Sequence, residues 1–460
     1  MPTLEPEVCG ELRDERVGCH IGTHRSQPLH SQDINITKSL FVAIRLLVER
    51  LPPAGEIFLL LIVLAALVGI IARPWGSRAW QWSVGAALLI EALPFRASAT
   101  ELWAAWWGAR DVAFFLVGIL TIAEVATQAR LFEVAAERLL ALARGNRLVL
   151  LAWIFGLGTL CTALLSNDTT VIALTPAVLV LAAAVRERAA PYAYACALVA
   201  NGASFLLPIS NPANLLLYGT HLPALLPWLR LFFVPSVAAL LISFGALALI
   251  FRRDLAGRIE RDLAVEPLQA NERAVFGAVI LAVVLLLGAS LLRLPPGLAA
   301  LCGALVVVAT AVATRRFSRA DLRRIDLGVL PFVAGLLVML AAVEGAGLLS
   351  GLRALLHSPA LGAPWIGVAA AAASALANNL PVAALAATSI SSALAPGAHR
   401  ALVIAIDLGP NFALSGSLAT LLWAQMLRKH GLRAGAREFA RIGIACTLPA
   451  LAAALALALR

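Results

Sequence analysis

The chain is 460 residues long, 61% hydrophobic and only 13% charged. A soluble globular domain carries about 25% charged residues, so this composition leaves too little polar surface to face water and makes the bilayer the solvent for most of the chain. The net charge of +10 does not point to nucleic acid; the arginines lie in short loops between apolar runs rather than on one face of a folded domain, which is the distribution that sets membrane topology.

Residues 1–50 are polar and mixed in charge, hold no run long enough to span, and contain only a short amphipathic stretch from Ser39 to Glu49; they are predicted to be an extension outside the fold. The first strongly apolar run begins near Ile57 with no small-residue cleavage site after it, so no secretory signal peptide is read there. Helix is the regular structure that satisfies its own backbone in lipid, and the apolar runs predict about ten transmembrane helices, at 56–72, 79–94, 111–127, 192–218, 228–251, 273–292, 296–314, 327–349, 400–426 and 440–459. Two stretches differ. Residues 148–186 hold two short apolar arms broken by Ser166-Asn167-Asp168-Thr169-Thr170, and residues 364–395 hold two arms broken by Asn378-Asn379-Leu380-Pro381. Each reads as a re-entrant hairpin, because non-helical backbone survives at membrane depth only against protein or a wet cavity. The expected fold class is an all-α polytopic membrane protein.

With both flanks of the first hairpin on the cytoplasmic side, the basic loops around Arg130–Arg147, Arg252–Arg261, Arg315–Arg324 and Arg428–Arg441 fall inside as well. The second hairpin then enters from the opposite face, and residues 1–50 fall on the side that basic residues avoid. The halves resemble each other. FLVGILTIAE at Phe115 matches FVAGLLVMLA at Phe332, the tip LLSNDTTV matches ALANNLPV with Asn167 paired to Asn378, and SNPANLLL at Ser210 matches SGSLATLL at Ser415. These matches predict a first repeat over 51–251, a cytoplasmic linker over 252–272 and a second, inverted repeat over 273–460, each with a hairpin and a broken helix.

A charge deep in the bilayer is costly and needs a reason. Asp168 at the first tip, Asp407 ahead of Gly409-Pro410, and Glu124 are the candidates for ion coupling. Candidate substrate groups are Asn167, Thr169, Thr170, Asn378 and Asn379 at the tips, and Ser210, Asn211, Asn214, Asn411, Ser415 and Ser417 at the helix breaks. Amide and hydroxyl groups with freed carbonyls suit a cation or a neutral hydroxylated solute, whereas bare N–H groups at the start of a half-helix suit an oxyanion. Helix capping explains some of these residues, but not four polar breaks at matching depth. The six cysteines have no metal-ligand spacing, and no Walker A, HExxH or GxSxG pattern is present, so neither a resident metal or cofactor, nor nucleotide hydrolysis, nor an intramembrane enzyme is expected.

From about Leu51 to Arg460 the chain resembles the arsenical-pump membrane proteins, within the ion-transporter superfamily that includes citrate and dicarboxylate carriers. SNDTTVIALTP, ASFLLPISNPANLL, ANNLP, IDLGPN and GSLATLLW carry the likeness. It departs where Thr169-Thr170 stand for small residues, and where Asn411 and Ala413-Leu414-Ser415 replace a lysine and a Thr-Pro-Ile triplet. The resemblance implies inner-membrane export of arsenite and antimonite in exchange for protons, in some members with a soluble ATPase partner. A sodium-coupled anion or dicarboxylate permease, or a sodium/proton antiporter, is the alternative within the same superfamily. A chain that begins at Leu51 is expected to insert and transport as the full chain does; failure of that shortened chain to reach the membrane would place residues 1–50 inside the fold.

Overall fold

The computed structural model describes residues 54–72, 77–92, 107, 110–260, 267–318, 320–325, 327–356, 362–390 and 397–460. The expectations for residues 1–50 and for 391–395 lie outside them. Every regular element among the described residues is helical. In chain order these are α1 (Ala54–Ala72), α2 (Ala79–Ala92), α3 (Arg110–Gln128), α4 (Leu131–Ala143), α5 (Arg147–Leu165), α6 (Asn167–Ala184), α7 (Ala190–Gly202), α8 (Pro212–Tyr218) and α9 (Leu225–Ile250). They continue with α10 (Ala270–Leu292), α11 (Pro296–Ala313), α12 (Val329–Gly345), α13 (Ser350–Leu356), α14 (Ala363–Ala377), α15 (Asn379–Ile390), α16 (Ala398–Leu408), α17 (Leu418–Lys429) and α18 (Ala436–Ala458). Seven of them, α3, α5, α6, α9, α10, α11 and α18, have the length and hydropathy to cross a bilayer alone. Large apolar side chains are exposed, as lipid contact requires, among them Leu64 of α1, Leu89 of α2, Leu241 and Leu249 of α9 and Leu305 of α11.

The expected spans at 192–218 and 400–426 are each broken. The first divides into α7 and α8 around residues 203–211, and the second into α16 and α17 around a short 3₁₀ turn at Gly409–Phe412. The expected hairpins are α5 with α6 and α14 with α15. One expectation needs correction. The basic stretch around Arg130–Arg147 is not simply a loop, because residues 131–143 form α4, whose apolar face carries buried Phe132, Val134, Leu140 and Ala143. Charged residues every few positions hid that face from a search for long apolar runs. The linker also ends sooner than residue 272, because Gln269 and Glu272 build a capping box that starts α10 at Ala270.

The linker is fixed to the base of the first hairpin. Arg188 holds both carboxylate oxygens of Asp254 at 2.8 Å, the Arg147 guanidinium donates to the Ala256 carbonyl at 2.8 Å, and the Ile259 N–H donates to the Gly145 carbonyl at 2.8 Å.

The same order, a helix followed by a short helix, a hairpin, a broken helix and a long helix, occurs from α3 to α9 and again from α12 to α18. Packing between the halves is crossed. Helix α2 lies on α12 while α11 lies on α3, and α9 lies against α18. Both crossings depend on a glycine. A Cβ at Gly118 would come within 2.4 Å of Ala300 backbone, and one at Gly335 within 2.5 Å of Ser83 backbone. Gly335 follows Gly118 by 217 residues and Ala300 follows Ser83 by the same 217, so the two contacts are equivalent in the two halves. The tightest approach is at Gly443 on α18, where an added Cβ would sit 1.7 Å from the Asn411 carbonyl oxygen. Gly443→Ala is expected to force α18 off the 3₁₀ turn and to lower unfolding stability in detergent by about 3 kcal/mol, the upper end for overpacking. Gly277→Ala, with nothing within 4 Å of the added atom, should leave the unfolding midpoint unchanged or raised.

Candidate functional site

Each hairpin turns on a residue whose backbone is ordinarily reserved for glycine. Ser166 has φ 93° and ψ 159°, and Asn378, 212 residues later, has φ 77° and ψ 145°. Such conformations cost about 1–3 kcal/mol each and persist where surrounding structure holds them. What holds them is the same in both halves. The N–H of Asn167 donates to the Ser210 carbonyl at 3.1 Å, and the N–H of Asn379 donates to the Gly416 carbonyl at 2.8 Å. The hydroxyl of Ser210 donates to the Ala163 carbonyl at 3.1 Å, and that of Ser415 to the Ala375 carbonyl at 3.0 Å. This corrects the tip register. Asn378 is the counterpart of Ser166, and Asn167 pairs with Asn379, a slip of one that adjacent asparagines invited.

The first half of each broken helix packs on the first arm of its own hairpin, α7 on α5 and α16 on α14. The second halves cross over: α8 packs on α15, and α17 packs on α6. Asn211 caps α8 by accepting the Ala213 N–H at 3.0 Å, and Ser417 caps α17 by accepting the Thr420 N–H at 3.1 Å. Both tips and both half-helix starts therefore converge. Between them is a cavity of about 10 Å³, lined by Asn167, Asp168, Asn211, Pro212, Asn379, Leu380 and Leu418. That is room for a single water. Six of the seven lining residues fall into counterpart pairs, Asn167 with Asn379, Asp168 with Leu380 and Pro212 with Leu418. One pair is chemically unequal, a carboxylate opposite a leucine. Asp168 is buried, and its Oδ1 has no hydrogen-bond partner among the described residues.

Asp407 does not line this cavity. It lies behind Asn211, whose Nδ2 donates to its Oδ1 at 2.6 Å. Asn214 also lies within reach of the Asp407 carboxylate, and its Nδ2 donates to the Ser204 carbonyl at 2.9 Å. Glu124 stands apart, half-buried on α3 and accepting from Gln128 of its own helix at 2.8 Å. Thr169 and Thr170 hold the first tip together, one donating to the Leu165 carbonyl at 2.9 Å and the other bonded to Thr162 at 2.8 Å. Asn378 spans the second tip, accepting the Leu380 N–H at 3.2 Å.

A residue without a signal in the sequence completes the junction. Asn201, on the apolar stretch of α7, donates to Asn411 Oδ1 at 2.8 Å and accepts from the Ser417 hydroxyl at 3.1 Å. Asn411 in turn donates to the Leu198 carbonyl at 3.2 Å. This asparagine pair joins the two broken helices across the centre. Only the expectation that both breaks meet could have directed attention to Asn201. Among the described residues no group of three histidine, cysteine, aspartate or glutamate side chains is placed to hold a metal.

Comparison with known proteins finds relatives among membrane transporters. Residues 46–409 match the family model described as citrate transporter, a match beginning five residues before the expected boundary at Leu51. The arsenical pump membrane protein of Yersinia enterocolitica is 30% identical over 429 residues, covering 88% of this chain and 98% of the relative. That of Escherichia coli K12 is 30% identical over 430 residues with the same coverage. The YdaH transporter of Alcanivorax borkumensis superposes with a TM-score of 0.50 at 15% identity, over 82% of this chain and 96% of that one, a likeness of fold alone.

Asn201→Ala removes the donor to Asn411 and the acceptor for Ser417 together. It is expected to cost roughly 1–3 kcal/mol of unfolding stability, because buried polar groups are left unpaired. Combining it with Ser417→Ala should add less than the single effects sum to, measured by denaturation in detergent.

Proposed function

We propose that this chain, which belongs to the citrate transporter family and, within it, to the arsenical pump membrane proteins, exports arsenite and antimonite across the bacterial inner membrane in exchange for protons. It is a membrane transporter rather than an enzyme, as its relatives are. The observation that supports the substrate is the junction cavity. Three asparagines face one carboxylate there, and among the described residues no basic side chain lines it.

Trivalent arsenic near neutral pH is an uncharged trihydroxide. Amides donate and accept, so they pair with its hydroxyls without burying a net charge. The four heavy atoms of such a solute exceed the room for one water, so the present arrangement is the closed one and the tips part to admit it. Parting breaks the bonds from Asn167 to Ser210 and from Asn379 to Gly416, which allows the strained turns at Ser166 and Asn378 to relax. The two hairpins enter from opposite faces in this reading, so opening one tip exposes the site to one side at a time. Asp168, with a carboxylate oxygen free to take a donor, carries the returning proton; Asp407 steadies Asn211 from behind. Binding of either species favours one orientation of the tips, which couples the two fluxes without a hydrolysed nucleotide.

A sodium-coupled carrier of citrate-like anions is the second reading, drawn from the family description. It lacks a cation to meet the anion in this cavity. Uptake into everted vesicles, with arsenite, citrate and labelled sodium compared, decides between them. Proton-driven accumulation of arsenite is expected, and its loss in Asn379→Ala and Asp168→Asn while both proteins still reach the membrane. Accumulation of citrate or sodium but not arsenite would overturn the assignment.

A further inference from the structure

A second and larger cavity, of about 380 Å³, opens where the ends of several helices meet. Arg110 and Asp111 at the start of α3, Leu215 of α8, Ser290 and Arg293 at the end of α10, and Leu298 of α11 are among its lining. The volume falls in the range of small-molecule pockets, and the lining has their composition, mostly apolar with a few polar groups.

Those polar groups have a definite sign. Arg110 donates to the Trp107 carbonyl, and its guanidinium carbon lies 4.7 Å above the Trp107 ring; both contacts hold the group in place without neutralising it. Arg293 ends α10 in the left-handed conformation, with φ 59°, and among the described residues no ion pair is recorded for it. Asp111 offsets one of these charges. Its Oδ1 is already engaged by the Gly297 N–H at 2.8 Å. The cavity thus keeps a net positive charge with the acid occupied elsewhere. Ser290 adds a hydroxyl only 6% exposed, whose oxygen has no partner among the described residues.

We propose that this cavity is a binding site for an anionic amphiphile, a single carboxylate or phosphate on an apolar tail. The acid group sits at Arg293 and Arg110, which offer the planar donors that carboxylates and phosphates favour. The tail lies on Leu215, Leu298 and the neighbouring prolines, and Ser290 supplies a further hydrogen bond. Two sources share this chemistry, a free aliphatic carboxylate and the headgroup of an anionic lipid at the membrane interface.

The site is joined to the central junction by one short element. Asn211 and Pro212, at the start of α8, line the junction, and Leu215 of the same helix lines the second cavity. Three residues along a helix advance about 4.5 Å. An occupant of the second cavity therefore bears on the half-helix whose start forms the closed site.

The test is binding of labelled octanoate to the full chain in phosphatidylcholine nanodiscs, with empty discs subtracted and octanol as the uncharged control. Saturable octanoate binding is expected, at least about tenfold tighter than octanol, and weakened about tenfold or more by Arg293→Gln. Leu298→Trp, which fills the cavity from an exposed position, should abolish it. Including phosphatidylglycerol in the discs identifies the source: displacement of octanoate assigns the site to a lipid headgroup, and undiminished binding assigns it to a free carboxylate. Equal binding of octanol, or octanoate binding unchanged in both Arg293→Gln and Leu298→Trp, would overturn the proposal. None of these readings depends on which solute is transported.

Discussion

Lipid cannot hydrogen-bond a peptide group, and the centre of this protein is organised around that fact. Four interruptions of helix lie inside the apolar layer, two at hairpin tips and two in broken helices, and each would strand polar backbone if left alone. They satisfy one another. The tip N–H groups of Asn167 and Asn379 donate to carbonyls of the break in the same half, at Ser210 and Gly416. Side chains take the remainder, with Trp228 donating to the Phe205 carbonyl at 3.0 Å and Asn214 to that of Ser204. The strain at Ser166 and Asn378 is supported by this mutual arrangement. The junction cavity is the space left where the interruptions meet.

Within that near-symmetric junction the departures from symmetry carry the chemistry. The 212-residue offset that pairs Ser166 with Asn378 also sets Asp168 against Leu380. Asn211, which reaches back to Asp407, has Ser417 as its counterpart, and Ser417 instead joins Asn201. Each half supplies one acid, but Asp168 of the first half lines the cavity, opposite Leu380 of the second, while Asp407 of the second half stands behind Asn211. A solute held between them meets one carboxylate rather than two, which is consistent with an uncharged substrate alternating with a single small cation.

Much of this was legible in the sequence because its signals are strong and local. Apolar runs located the long helices to within a few residues. The interruptions SNDTT, NNLP, SNPAN and ALSGS are conspicuous in an alanine- and leucine-rich chain, so the tips and breaks could be named. Register within them could not, since Asn378-Asn379 offers two equally good partners for Asn167 and only backbone geometry chooses. Helix α4 was hidden because its apolar face is interleaved with Glu133, Glu137 and Arg138. Asn201 was hidden for the opposite reason, as a lone polar residue in a helix that otherwise looks like plain membrane filler. The second cavity is invisible to any local reading, because its arginines are far apart in the chain and meet only when the start of α3 and the end of α10 come together beside α8.

The crossed packing of α2 on α12 and of α11 on α3 has a consequence for how such a chain is made. A ribosome delivers the first half into the membrane before its partners exist. Until α11 and α12 emerge, the glycine face of α3 at Gly118 and the face of α2 at Ser83 have only lipid against them, and the tip at Asn167 meets a broken helix whose crossing neighbour, α15, has yet to be synthesised. The nascent protein therefore passes through a stage in which Asn201 and Asn211 lack their second-half partners Asn411, Ser417 and Asp407, and the finished junction forms last. Assembly of the two halves, rather than insertion of either, is the step that completes the polar pairing at the centre.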